Sequence, residues 1–464
     1  MANCYDGAVR DTPLLMKMGI REIPLHSLSG LMEMDVDRGH PLDQGCDTAI
    51  AVASVVSNLY VGGGTTRLFN FARNIDKARL RHMVIVMCQA TTEHLRRSAT
   101  VTSLFRDEGL DVLELNRPAW TQAAYEARPR AMPASLLKVL TSSRVLGAAL
   151  RRHRVDVVDV INPGSDLPIA VAAAKWAGGL PVAVTAYDIA CWNRRLLRFA
   201  GRFLFDQAHA LITDSRARAE EMNAWLWSRT APFHVIPNGV ERPVVQADRE
   251  AVCRHYGLRC SPEMLLVGQV GQLVPFKGQS MLLEAAPHVL ERHPNVAFIA
   301  CGYEHQWLSG GYTRELRDRA AALGVTERFG IGPYPGSIGD VLSAIDVQVH
   351  PSFRDSSPIS VTQGMLLGKP VLVSDVGGLP EMVSDGVTGY VISVGDQPRF
   401  VARLLDLLGS PDLAAKLGGA GRLAAERRSS AAAMTRSLAD VFVSLAKQRR
   451  GSRRHEAHAS EERV

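Results

Sequence analysis

The sequence has no paired-cysteine motif. Its seven cysteines, at 4, 46, 88, 191, 253, 260 and 301, form neither a C-x-x-C pair nor a metal-like spacing. Reduced thiols in a cytoplasm are therefore the simplest expectation, and no metal site is expected. Nor is there a long uninterrupted apolar run. The most apolar extended window, Ile169 to Trp192, is broken by Lys175, Gly178-Gly179, Pro181 and Asp188. That pattern reads as helix, turn and buried strand and excludes a spanning helix there. A secretory leader is not expected either, because Asp6, Arg10, Asp11 and Lys17 interrupt any apolar core at the start. Charge of one sign is in small excess only, a formal +6 over 464 residues. Such a balance suits anionic ligands or anionic membrane surfaces without requiring them, and no nucleic-acid partner is expected.

What is present is ordinary globular composition, 46% hydrophobic and 22% charged, in a chain long enough for two or three domains. Residues 1–47 show neither helical nor strand period and read as a loosely ordered extension. Ala49 to Val56 is then an apolar run of strand length, leading through Gly62-Gly63-Gly64-Thr65-Thr66-Arg67 into a helical pattern with Leu68, Phe69 and Ala72. Strand, glycine loop and helix open a βαβ unit, where backbone can approach a ligand closely. Further apolar runs alternate with helical stretches up to Phe233–Val240, which carries a Pro237-Asn238-Gly239 turn. A second series starts at Met264 and runs to about Val394.

The expected fold class is therefore α/β, with two doubly wound, Rossmann-like halves facing across a cleft. The expected divisions are 48–245 for the first half and 246–430 for the second. A helix over 431–448 could return to the first half, and 449–464 reads as a disordered basic tail.

One segment says most about chemistry: Ser352-Phe-Arg-Asp355-Ser-Ser-Pro358-Ile-Ser-Val-Thr-Gln363, continuing to Gly377-Gly378-Leu-Pro380-Glu381. Ser356 and Ser357 are favourable N-cap types, and Pro358 falls where the first helical position is expected. A helix opening there aims free N–H groups and the positive end of its dipole at whatever lies in front. Asp355 stands before that helix and Gln363 lies inside it. The arrangement suits a diphosphate at the helix start with a hydroxyl-bearing ring beside it; an ordinary capped α/β helix is the plainer alternative. Gly271-Gln272-Leu-Val-Pro-Phe-Lys277-Gly278 follows another buried strand. Its lysine offers a point charge to a phosphate without a metal. With the helix at 358 it makes a two-sided anion clamp.

With these motifs, in this order, the chain from about 49 to 445 resembles the retaining family 4 glycosyltransferases of the GT-B fold. The resemblance implies a nucleotide-diphosphate sugar (UDP-, GDP- or ADP-linked) bound mainly by the second half and a glycan or lipid-linked acceptor docked on the first. It places Lys277 beside the diphosphate and Asp355 near the transferred sugar. Gln363 falls near the ribose, and the amides at Pro358, Ile359 and Ser360 lie at the distal phosphate. Gly63, Gly64, Gln272 and Tyr334 complete the expected nucleotide-sugar contacts. Thr65, Tyr187 and Asp188 are expected on the acceptor or sugar side. The implied reaction is metal-independent hexosyl transfer with retention at the anomeric carbon, in the making of a polysaccharide, glycolipid or small glycoside.

Four positions depart from the family pattern, one of them Tyr187, where a histidine often follows the Val182–Thr185 strand of the first half. Gln272 stands where an arginine is usual, and Asp355 and Gln363 stand where the family has two glutamates. Gln363 can still donate to and accept from a sugar hydroxyl, but one cation for the leaving group is missing. Two other functions thus stay open: a non-catalytic binder of sugar nucleotide or glycan, and a sugar-nucleotide epimerase or hydrolase. Tyr187 is either an acceptor-side group or a packed strand-end aromatic, and Glu381 is read as a possible cap of the helix after Pro380. A helix over 194–205 puts Arg195, Arg198 and Arg202 on one side and Leu196, Leu197, Ala200, Phe203 and Leu204 on the other. It is either a peripheral contact with the inner face of the cytoplasmic membrane or a core-facing helix with a solvated arginine face. Oligomeric state leaves no trace in the sequence.

Overall fold

The computed structural model describes residues 49–59, 62–87, 101–115, 132–164, 166–187, 195–226, 231–304 and 311–461. The extension read at 1–47 lies outside them. Two parallel sheets organise the rest. The first contains β1 (Ile50–Val56), β2 (Leu80–Val86), β3 (Asp111–Glu114), β4 (Val157–Ile161), β5 (Val182–Thr185), β6 (Ala210–Thr213) and β7 (Phe233–Val235), in the order β3-β2-β1-β4-β5-β6-β7. All seven residues of β1 are buried, which requires cover on both faces and explains the uninterrupted apolar run. Its register pairs Ile50 with Leu80 on one side and Val52 with Val157 on the other.

The second sheet contains β8 (Leu265–Val270), β9 (Val296–Cys301), β10 (Phe329–Gly332), β11 (Val347–His350), β12 (Val371–Ser374) and β13 (Tyr390–Ile392), ordered β10-β9-β8-β11-β12-β13. Helices return the chain between strands, and several carry their own start signals. Asp248 accepts from Ala251 N at 2.8 Å, and Ser337 with Asp340 forms a capping box. Chain order reverses between β1 and β4 and again between β8 and β11. Each reversal leaves a crevice at the strands' carboxyl ends.

The last helix, Ala431–Glu461, packs on the first sheet. Met434, Leu438, Val441, Phe442 and Leu445 share one buried cluster with Ile50, Val52, Phe71, Leu80 and Ile212. The helix runs on to residue 461, correcting the disordered tail read from 449. Past the apolar face it stays docked by polar contacts: Arg449 donates to Gly178 O at 2.9 Å, and Arg450 pairs with Asp156 at 3.2 Å.

The helix Arg195–Phe205 also differs from its reading. Phe203, expected on the inward side, is 63% exposed, as is Phe199 at 65%. Arg202, expected outward, donates through Nε to the carbonyl of Trp225 at 2.5 Å. Among the described residues no helix is long and apolar enough to cross a membrane.

Candidate functional site

The lysine loop is held by its neighbours before any ligand enters. Gly278 has φ +75°, and a Cβ there would lie 2.0 Å from the carbonyl oxygen of Pro351, so only glycine fits. Gln269 Nε2 donates to Lys277 O at 2.6 Å, Gln279 Nε2 to Gln272 O at 2.8 Å, and Phe353 N to Phe276 O at 2.8 Å. The first two brace the loop after β8 on itself, and the third ties it to the segment after β11, across the strand-order reversal.

Lys277 Nζ reaches Asp355 Oδ2 at 2.5 Å, with the two side chains only 16% and 10% exposed. The same oxygen lies 2.6 Å from His350 Nε2 and 3.4 Å from Ser352 Oγ, while Oδ1 accepts from Ser356 N at 2.9 Å. Burial by itself would raise the Asp355 pKa. The charge of Lys277 and the His350 hydrogen bond outweigh it and hold the carboxyl well below the usual carboxylate range.

The helix beside this pair is Ile359–Leu366, one residue later than expected, and Pro358 is its N-cap with no side-chain cap bond. Neither serine caps it. Ser356 Oγ donates instead to Asp214, and Ser357 Oγ faces Met382 Sδ. The first amides of the helix, at Ile359 and Ser360, therefore have no side-chain cap. Gln348 Nε2 donates to Ser360 O at 2.8 Å. A Cβ on Gly364 would fall 1.7 Å from Gln348 Oε1, so this glycine makes room for that side chain. Gln363 is half-buried one turn into the helix.

Across the boundary, the glycine loop of the first lobe comes directly against this helix. A Cβ on Gly63 would sit 3.8 Å from Ile359 Cδ1. A Cβ on Gly64 would meet the Tyr187 ring at 3.3 Å. The tyrosine thus lies against Gly64, with the Arg67 guanidinium 5.6 Å from its ring centroid. Burial pushes the phenol pKa up. Thr65 is half-buried in the same turn. Asp188 lies outside the described residues. Tyr334 is set apart: it follows β10, two strands or roughly 10 Å from β8, and packs against Tyr256 and His255 with centroids at 6.4 and 5.3 Å.

Several residues join the lobes with no local sequence signal of that contact. Asn238 Nδ2 donates to Ser357 O at 2.7 Å, and its Oδ1 accepts from Arg67 at 2.8 Å. Arg67 also donates to Ile236 O at 2.7 Å, and its buried Nη2 has no partner. Glu381, read as a cap of its own helix, accepts instead from the amides of Arg216 and Ala217. These open the helix Arg216–Trp225 in the other lobe. The sequence marks Asn238 as part of a turn, and Ser357 and Glu381 as helix caps, without indicating that any of them reaches the other lobe.

Two family descriptions match in tandem: Glycosyl transferase 4-like domain over residues 62–239, and Glycosyl transferases group 1 over residues 261–424. The chain carries both domains of a family 4 glycosyltransferase. The D-inositol 3-phosphate glycosyltransferase of Nocardiopsis dassonvillei is 32% identical over 221 residues, 46% of this chain and 51% of that protein. The putative glycosyltransferase EpsD of Bacillus subtilis is 28% identical over 216 residues, 46% of this chain and 54% of its own. The chain thus spans about half the length of these curated relatives. Anabaena HepE, solved in complex with UDP and glucose, superposes with a TM-score of 0.69 at 19% identity, covering 85% of this chain and all of its own. The two glycosyltransferase domains therefore adopt the GT-B fold, with Lys277, Asp355 and the 359–366 helix at the carboxyl edge of the second sheet.

Proposed function

We propose that this chain transfers a hexose from a nucleotide-diphosphate sugar to a hydroxyl acceptor, with retention of configuration and without a metal. One observation carries the reading: Lys277 and Asp355 are paired in front of a helix start that no side chain caps. When a diphosphate enters, the lysine ammonium and the open amides supply its counter-charge. Asp355, released from Lys277, is left facing the sugar. The leaving diphosphate and the acceptor hydroxyl share one face of the sugar ring in an oxocarbenium-like transition state. The departing phosphate oxygen takes the acceptor's proton. Preorganised positive charge at the leaving group accounts for most of the rate in such a scheme.

HepE's complex makes UDP-glucose the first donor to test, and the Nocardiopsis relative's name makes a polyol phosphate one of the first acceptors. Glycans and lipid-linked acceptors complete that set. The contact proposed for a lipid-linked acceptor is the Arg195–Phe205 helix, whose outward Phe199 and Phe203 suit the inner face of a cytoplasmic membrane. Incubating the protein with UDP-, GDP- and ADP-sugars and these acceptors, then reading the anomeric proton of the product by NMR, tests the proposal. A product with inverted configuration would contradict it. The second reading, a binder without turnover, is favoured by Gln272 and Gln363 standing in place of charged residues. Tight sugar-nucleotide binding with no transfer to any acceptor would select it.

A further inference from the structure

Asp355 is also held by a histidine that the transfer scheme leaves unused. His350 ends β11 with its side chain 1% exposed and its Nε2 2.6 Å from Asp355 Oδ2. Its Nδ1 is buried and has no hydrogen-bond partner. A buried N–H with no acceptor is costly, so a neutral ring carries its proton on Nε2 and leaves the lone pair on Nδ1. Burial lowers the imidazole pKa, prevailing over the opposite pull of Asp355, and Lys277 acts in the same direction as burial. The ring is therefore a neutral donor of fixed tautomer.

Three donors converge on Asp355 Oδ2, and they differ in how firmly they are placed. Lys277 stands on a flexible four-carbon stem and is the group a diphosphate would draw away. Ser352 Oγ is at 3.4 Å, the edge of useful range. The Ser356 amide serves the other oxygen. That leaves the short, buried contact to His350. The charged groups around the pair are Lys277, from the loop after β8, and Asp214, reached across the lobe boundary through Ser356 Oγ. Arg354 is turned outward, its guanidinium 5.7 Å from the Phe276 ring centroid.

We infer that His350 is a positioning residue for Asp355: a fixed N–H donor that keeps the carboxylate ionised and aimed after Lys277 has turned to the diphosphate. The inference rests on the transfer reading for what Lys277 turns to; the His350–Asp355 pair stands on its own geometry.

Two variants test it, His350→Leu, which removes the donor, and His350→Gln, whose amide can replace it. The first readout is the unfolding midpoint of ligand-free protein from about pH 6 down to about pH 2, which spans the range where Asp355 titrates and needs no substrate. Asp355 has a folded pKa below its unfolded value of about 3.9. Its stabilisation is thus present above that value and lost as pH falls through the folded pKa. In His350→Leu the folded pKa rises, so acid unfolding should begin at higher pH, by about half a unit or more, with His350→Gln close to the native curve. The second readout is UDP-glucose turnover. His350→Leu should lose about 10-fold or more in kcat with KM within about two-fold, and the acid limb of kcat should move up.

Acid unfolding and an acid limb unchanged in His350→Leu would overturn the inference. So would equal impairment of the Leu and Gln variants. If native protein transfers no sugar at all, the transfer reading falls, and the unfolding curves alone decide whether His350 holds Asp355.

Discussion

Glu381 of the second lobe accepts the backbone N–H of Ala217 in the first, at 2.9 Å. The carboxylate thus sits at the positive end of a helix to which it does not belong, with Arg428 at 3.5 Å on its other side. Glu381→Ala should lower the unfolding free energy by about 1 kcal/mol, the usual cost of losing a capping acceptor. Urea denaturation measures it. An unchanged or higher midpoint would mean that the two lobes do not depend on this contact.

Ser356 makes the second tie, donating to Asp214 from the loop that carries Asp355. Burial raises the Asp214 pKa and the Ser356 hydroxyl lowers it. Removing the hydroxyl in Ser356→Ala leaves the carboxyl short of a donor and moves its pKa further up. A raised folded pKa means stability lost as pH rises. The destabilisation, about 1–3 kcal/mol, should therefore be larger at pH 8 than at pH 5. Equal losses at the two values would place the ionisation elsewhere.

These ties show what the sequence could not carry. The β1 run Ile50–Val56 and the helix after Pro358 were legible because they are local: continuous burial, turn residues and start signals sit within a few positions. Asp214 with Ser356, and Glu381 with Ala217, are separated by 142 and 164 positions, and neither partner signals the other. Periodicity also states which residues share a helix face without stating where that face points. On Arg195–Phe205 the carbonyl of Trp225 draws Arg202 inward and leaves Phe203 outside. Polar composition misread 449–461 for a related reason, since Arg449 is anchored by Gly178 O, an acceptor with no side chain to betray it.

A buried acid in the first sheet gives a pH signature of its own. Asp159 on β4 accepts from Thr185 Oγ1 at 2.7 Å, and burial pushes its pKa up to about 7. Its protonated form favours the folded state. That contribution is fully present below the unfolded pKa of about 3.9 and is lost as pH rises through about 7. Asp159→Asn lacks the titration, so the variant's unfolding midpoint relative to native should climb between pH 4 and 8. A constant difference across that range would show that Asp159 is ionised throughout.

Gln272 tests how far the site has diverged from its family. Gln272→Arg adds a cation on the lysine loop and should leave turnover equal or higher, since one more positive group faces the leaving diphosphate. Steady-state kinetics with UDP-glucose measures it. A large loss would show that the pocket has adapted to the amide.

The central claim is that Lys277 carries the leaving diphosphate. The most direct measurement is turnover of UDP-glucose by Lys277→Ala beside native protein, with matched circular dichroism to show that both are folded. The account predicts a fall of about 100-fold, the scale of losing one electrostatic stabiliser. Turnover within a few-fold of native would contradict it and place the diphosphate elsewhere.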